Sequence, residues 1–196
     1  MDEGTPAHGV VVLAAGASTR LGRPKQLLRF GGETLVHRAA RLALATGPID
    51  AVVVLGAEAD GVFASIDDLA VRRVDCADWQ QGMSASLRAG IAALTAQCAG
   101  ALVVLCDQPA LDGAHLERLC RAWRDAPACG AASAYAGRLG VPALLPRAWF
   151  GELAGASGDR GARTVIAHHA DEVVAIANEA LARDVDHTAD WPVDEK

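Results

Sequence analysis

Three runs of residues constrain the fold more than anything else in the chain: Val10-Val11-Val12-Leu13, Ala51-Val52-Val53-Val54-Leu55 and Ala101-Leu102-Val103-Val104-Leu105-Cys106. None contains a charged or hydrogen-bonding side chain. A strand with one face in water alternates apolar and polar residues. A strand without alternation has both faces covered, the condition of a strand inside a parallel sheet with helices above and below. Between the runs the apolar spacing becomes helical, as at Leu35, Ala39 and Leu42 within residues 34–45. Helices are also expected over residues 84–96 and 112–123, the last capped by Asp112. Strand, helix and strand in succession give right-handed crossovers and a doubly wound arrangement.

The expectation is therefore an α/β chain forming a single three-layer α/β/α domain around a Rossmann-like, mostly parallel sheet. A shorter strand is expected near residues 71–74. Beyond Cys129 the pattern weakens. Residues 130–135 and 141–145 read as strands forming an antiparallel edge, followed by a helix over 160–168 and a strand over 173–177. The domain is expected to span residues 9–191, with 1–8 and 192–196 as flexible ends.

With 52% apolar but only 4% aromatic residues, the core must be built from Ala, Val and Leu. The net charge of −6 argues against nucleic acid or an anionic membrane as partner, so an anionic ligand needs local cations. The five cysteines are odd in number and include no C-x-x-C, which fits reduced thiols in the cytoplasm. There is no basic-then-apolar leader and no apolar stretch near the ~20 residues that cross a bilayer.

In such folds ligands bind beyond the carboxyl ends of the strands. After the first run come Ala14, Ala15, Gly16, Ala17, Ser18, Thr19, Arg20, Leu21, Gly22, Arg23, Pro24 and Lys25. Tiny residues let main-chain N–H groups approach an anion, and Arg20 and Lys25 neutralise it, so the loop suits a polyphosphate. It is neither G-x-G-x-x-G nor G-x-x-x-x-G-K-[ST], which disfavours a dinucleotide-dependent dehydrogenase. Asp107 follows the third run directly, where its carboxylate suits Mg²⁺ bridging to phosphate, although a turn-forming Asp before Pro109 is the plainer reading. Asp184 and Asp186 offer a second metal ligand or an ordinary acidic surface.

Trp79-Gln80-Gln81-Gly82-Met83-Ser84-Ala85-Ser86 opens a helix, where Gly82 admits close backbone approach and Ser84 and Ser86 can hydrogen-bond a nucleotide. Gly158-Asp159-Arg160-Gly161-Ala162-Arg163 is a second Gly-rich basic turn, suited to an acceptor phosphate or simply a charged helix start. His168 and His169 are neighbours; in a helix they point about 100° apart and would not share a metal.

In order along the chain, Leu13–Lys25, Trp79-x-x-Gly82-Met83-x-x-Ser86-Leu87, Cys106-Asp107-Gln108-Pro109, Gly140-x-Pro142, Gly158-Asp-x-Gly-Ala-Arg163 and Asp184-Val-Asp186 resemble the motifs of the MobA-like nucleotidyltransferases. The Ala14-Ala15-Gly16 core is most similar to the molybdenum cofactor cytidylyltransferase branch, since the guanylyltransferase branch usually has Ala-Gly-Gly there. The resemblance implies transfer of CMP from CTP to the phosphate of Mo-molybdopterin with release of pyrophosphate.

By the same resemblance Leu13, Ala14, Ala15, Gly16, Ser18, Arg20, Lys25, Gly82, Ser84 and Ser86 would bind the nucleotide. Arg20, Lys25 and Asp107 would be catalytic, and Gly140, Pro142, Asp159 and Arg163 would face the acceptor. Asp107 and Asp186 would hold Mg²⁺, with Mn²⁺ as a substitute. The implied partners are a nucleoside triphosphate, a phosphorylated acceptor and a molybdoenzyme or its chaperone. The chain departs from the family pattern at Val141, where His is frequent, at His187-Thr188, where Thr-Pro is usual, and at Cys76-Ala77-Asp78, where Asn commonly stands. These positions leave open a guanylyltransferase using GTP, transfer to a sugar phosphate or phospholactate-type acceptor, and a non-catalytic cofactor chaperone.

Overall fold

In the computed structural model, which describes residues 5–185, strand β1 (His8–Ala14) is buried along its whole length. After a loop and a two-rung hairpin, β2 (Arg29–Phe30) and β3 (Glu33–Thr34), come α1 (Leu35–Leu44) and β4 (Asp50–Leu55). Then follow α2 (Ala59–Ala64), β5 (Arg72–Asp75), α3 (Met83–Ala93), β6 (Gly100–Leu105) and α4 (Gly113–Asp125). The chain continues through β7 (Gly130–Tyr135), β8 (Arg138–Pro146), α5 (Phe150–Gly155), α6 (Arg163–His168) and β9 (Val173–Ala177).

The main sheet has seven strands in the order β5-β4-β1-β6-β8-β7-β9. The pairs among β5, β4, β1 and β6 are parallel, as the unalternated runs require. The expected antiparallel pairing of the later strands is present, but it is not at an edge. β8 runs against both β6 and β7, and β9 then pairs parallel to β7, so the reversed strand lies inside the sheet. Its core stretch, Pro142–Pro146, is buried throughout, which explains why it too lacks alternation.

Successive residues of β1 enter opposite layers, as strand geometry dictates. Val10, Val12 and Ala14 join one core with Val36, Ala40, Leu116 and Trp123 of α1 and α4. Val11 and Leu13 join the other with Leu87, Ile91, Leu153 and Ile166 of α3, α5 and α6. Small residues set the depth of packing: a Cβ on Gly90 of α3 would run into Val11 and Val54, so this helix lies directly on the sheet. The expected cap is present, with the Asp112 carboxylate accepting the His115 N–H at 2.7 Å, and Thr34 caps α1 in the same way.

The domain, expected to begin at residue 9, already includes residue 8 in its first strand. His8 belongs to β1 and is buried, which its hydrogen bond to Thr46 (2.9 Å) permits. The Thr46 hydroxyl donates to the Ala43 carbonyl, so its oxygen accepts and His8 carries its proton on Nε2. The end expected at 192–196 lies outside the described residues. The five cysteines are unpaired thiols, and among the described residues no helix is long and apolar enough to cross a membrane.

Candidate active site

The parallel strands β1, β4 and β6 all end on one side of the sheet, and the loops leaving them meet there. The loop after β1 is held from within. Gln26 is buried beneath it and donates from Nε2 to the carbonyls of Ala14 (2.9 Å) and Gly16 (2.6 Å). Ser18, at φ 53°, accepts the Lys25 N–H on its hydroxyl (3.0 Å), while its carbonyl accepts the Leu21 N–H. Ala57, just past β4, donates its N–H to the Ala15 carbonyl.

Gly16 has an ordinary φ, and a Cβ there would meet nothing within 4 Å. Neither backbone nor packing asks for glycine at that position, and the space beside it is open.

Asp107 leaves β6 opposite this loop. Arg38 braces the turn from behind, donating to the carbonyls of Leu111 (2.7 Å) and Pro109 (3.5 Å). Lys25 Nζ donates to Asp107 Oδ2 at 2.5 Å, with both side chains largely enclosed. The other oxygen, Oδ1, is buried without a hydrogen-bond partner. A buried carboxylate oxygen left unpaired carries the cost of its desolvation, and a hard divalent cation is the partner its chemistry best suits.

These groups line a cavity of about 400 Å³ with Leu13, Ala14, Ala15, Gly16 and Arg20 on one wall and Trp79, Gln80, Gly82, Met83 and Ser86 on the other. Asp107 and Asp159 close it. A second cavity of about 200 Å³ shares Lys25, Met83, Leu105, Asp107 and Asp159 with the first. Its remaining wall carries Arg138, Arg160 and Arg163 beside Gln108, Tyr135 and Asp184. A smaller recess against Arg20 is lined by Gly16, Ser18 and Lys25.

Most residues expected to serve the site therefore converge, but several occupy other positions. Ser84 is buried with its hydroxyl unpartnered and lines neither cavity. Gly140 and Pro142 are buried as well, and the residue between them, Val141, lines the second cavity. A Cβ on Gly140 would press on the Tyr135 hydroxyl, which donates to the Val141 carbonyl (2.8 Å). Gly82, at φ 102°, fits where the Gly158–Asp159 backbone crosses the start of α3. Asp184 lines the second cavity, and Val185 donates its N–H to the Asp107 carbonyl (3.0 Å). Asp186, His187 and Thr188 lie outside the described residues.

Gln26, Tyr135 and Arg138 were not foreseen from the sequence, and Gln108 stood there only within the Cys106–Pro109 motif, with no role. Gln26 left a trace in the sequence as a lone amide beside Leu27 and Leu28, which must find partners if that run is buried. Gln108 is buried, donates to the Leu181 carbonyl (3.2 Å) and keeps Oε1 unpartnered at the second cavity. Burial pushes the Cys106 thiol up to about 12, which favours its protonated form.

The expected divergence of His168 and His169 does not hold. α6 ends at His168, and His169 caps it at φ −101°, ψ 28°, which brings the two rings to 4.8 Å between centroids, both hydrogen-bonded to Glu152.

Residues 10–173 match the MobA-like NTP transferase domain. The chain is 36% identical to the nicotine blue oxidoreductase of Paenarthrobacter nicotinovorans, over 94% of this chain and 95% of that one. It is 33% identical to a probable molybdenum cofactor guanylyltransferase of Opitutus terrae, over 62% of this chain and 59% of that protein. The crystal structure of Rv0371c from Mycobacterium tuberculosis H37Rv superposes with a TM-score of 0.77 at 31% identity, covering 94% and 95% of the two chains. The same protein has been solved in complex with manganese.

Proposed function

The chain belongs to the MobA-like NTP transferase family, and from that premise we propose that it moves a nucleotidyl group from a nucleoside triphosphate, CTP first among them, to a phosphorylated acceptor of the Mo-molybdopterin kind. One observation carries the reading. A small-residue loop with two cations and a carboxylate with an unpaired buried oxygen share a cavity that opens beside a second, arginine-lined one.

In this reading Arg20 and Lys25 grip the triphosphate along the Ala14–Gly16 backbone, and the Trp79–Ser86 segment faces base and ribose. Arg138, Arg160 and Arg163 receive the acceptor phosphate. That phosphate is already ionised near neutral pH, so no general base is needed, in keeping with the protonated Cys106. The barrier is the meeting of two anions, so positioning and preorganised charge dominate. Asp107, with Asp186 as a second ligand, would hold Mg²⁺ or Mn²⁺, which when bound supplies screening of the α-phosphate and the departing pyrophosphate. The Ala-Ala-Gly core supports CTP over GTP by family likeness alone.

The test is pyrophosphate release with CTP, GTP, ATP and UTP against Mo-molybdopterin, sugar phosphates and phospholactate-type acceptors. Turnover is expected with CTP and Mo-molybdopterin, reduced about 10²–10³-fold in Lys25→Ala. Absence of turnover with every pair, or an unimpaired Lys25→Ala, overturns the reading.

A second reading rests on the likeness to nicotine blue oxidoreductase over nearly the whole chain. There the same cavity would take a redox nucleotide. Reduction of nicotine blue by NADH or NADPH, with no pyrophosphate release from any triphosphate, would establish it.

A further inference from the structure

Outside the cavities just described, where α6 ends beside α5, three metal-ligating side chains converge. We propose that Glu152, His168 and His169 form a site for a borderline divalent transition cation, Zn²⁺ foremost, which staples α5 to α6 and so tightens the loop between them.

One ligand atom from each residue lies within 4.8 Å of the other two. His168 Nδ1 and His169 Nε2 each sit 2.9 Å from a different oxygen of Glu152. Donors around a tetrahedral zinc stand about 3.3 Å apart, given Zn–N and Zn–O bonds of about 2 Å. Closing the widest gap therefore asks for a shift of about 1.5 Å, and the His168 side chain, 72% exposed, is free to make it.

His169 is preorganised. Its ring stacks on buried Trp149 (centroids 4.2 Å apart, 12° between planes), and its other nitrogen, Nδ1, lies 3.5 Å from the Glu172 carboxylate. A carboxylate behind the non-ligating nitrogen is the usual way a protein orients a metal-binding imidazole. Two imidazoles and one carboxylate, with the outer side open to water, suit Zn²⁺ or its late transition-metal neighbours and not Mg²⁺, which prefers oxygen. This chemistry is opposite to that at Asp107.

The loop bracketed by these helices, residues 156–162, carries Asp159 and Arg160, which line the cavities. Pinning α5 to α6 narrows the positions this loop can take.

The test is titration of metal-free full-length protein with ZnCl₂ against a chromophoric chelator. One equivalent is expected to bind in the wild type and equally in Asp107→Asn. Affinity should fall at least about 100-fold in His168→Ala and Glu152→Gln, and about tenfold in Glu172→Gln, where only an orienting partner is lost. His168 is exposed, so circular dichroism should show its variant folded. Hydrogen exchange over residues 156–162 should slow with Zn²⁺ in the wild type but not in His168→Ala. Binding abolished by Asp107→Asn, or undiminished in His168→Ala, overturns the site. Unchanged exchange in zinc-loaded wild type overturns the coupling to the loop.

Discussion

The loop after β1 and the loop before α6 both reach the cavity over Asp107, and both are rich in glycine and arginine. They are secured in different ways. The first is fastened by hydrogen bonds from beneath, through Gln26, Ser18 and the backbone of Ala57. The second is seated by close approach: Gly82 makes room for Gly158 and Asp159, and a Cβ on Gly161 would strike the Met83 sulfur. A lattice of hydrogen bonds fixes N–H directions before a ligand arrives, the economical arrangement for stabilising fixed phosphate charge. A loop seated by close approach keeps freedom to follow acceptors of different shape.

The largest effect is expected where both loops converge. Asp107→Asn removes the charge facing Lys25 and the unpaired oxygen, and should lower turnover about 10²–10³-fold with little change in folding, measured by steady-state rates and urea unfolding.

Next comes the opposite end of β1, the strand that carries the first loop. Burial, aided by Arg124, holds the His8 imidazole down at about 4, against its ordinary 6.5. The unfolded chain therefore binds a proton that the native protein resists. The stabilisation is fully present above about 6.5 and is lost as pH falls toward 4, a difference on the order of 3 kcal/mol. A His8→Leu variant should show a shallower decline between pH 7 and 4.5 in denaturant titrations.

Gly82→Ala should cost about 1–3 kcal/mol through its positive φ. It should raise KM for the acceptor more than for the triphosphate, since it displaces the second loop. If both rise alike, the division of labour between the loops is wrong. The smallest effect is expected for Gln26→Ala. Two carbonyls lose their donor at about 1–2 kcal/mol, and KM for the triphosphate should rise several-fold while acceptor KM holds.

The fully buried strands were legible because burial on two faces leaves no room for polar residues; β1, β4 and β6 lie where their runs place them. Asp107 was legible because strand ends in such sheets face the ligand. The elements that escaped are short. α2 has six residues and includes Asp60 and Gly61, so its helical state depends on Val62 reaching a core built elsewhere. α3 begins at Met83 and stops at Ala93, ahead of its expected end, and α6 begins only at Arg163, after a separate 3₁₀ turn at Gly158–Arg160. The path of β8 was hidden for another reason. Apolar runs record burial but not direction, so Val141–Leu145, expected at an antiparallel edge, proved to be an interior strand.

The Glu152–His169 contact was illegible because it joins the ends of two helices, and helix periodicity says nothing about a residue that has already left the helix.

The reversed course of β8 has a consequence for the newborn chain. Synthesis delivers β1, β4, β5 and β6 first, and in that interval one flank of β6 (Gly100–Leu105) offers unpaired N–H and C=O groups between apolar side chains to any neighbouring strand. That flank is sealed only when Leu144 and its neighbours emerge to pair with Leu102. Ribosomal pausing or premature termination between residues 105 and 143 would therefore leave an aggregation-prone nascent species, and chaperone demand should be concentrated in that window.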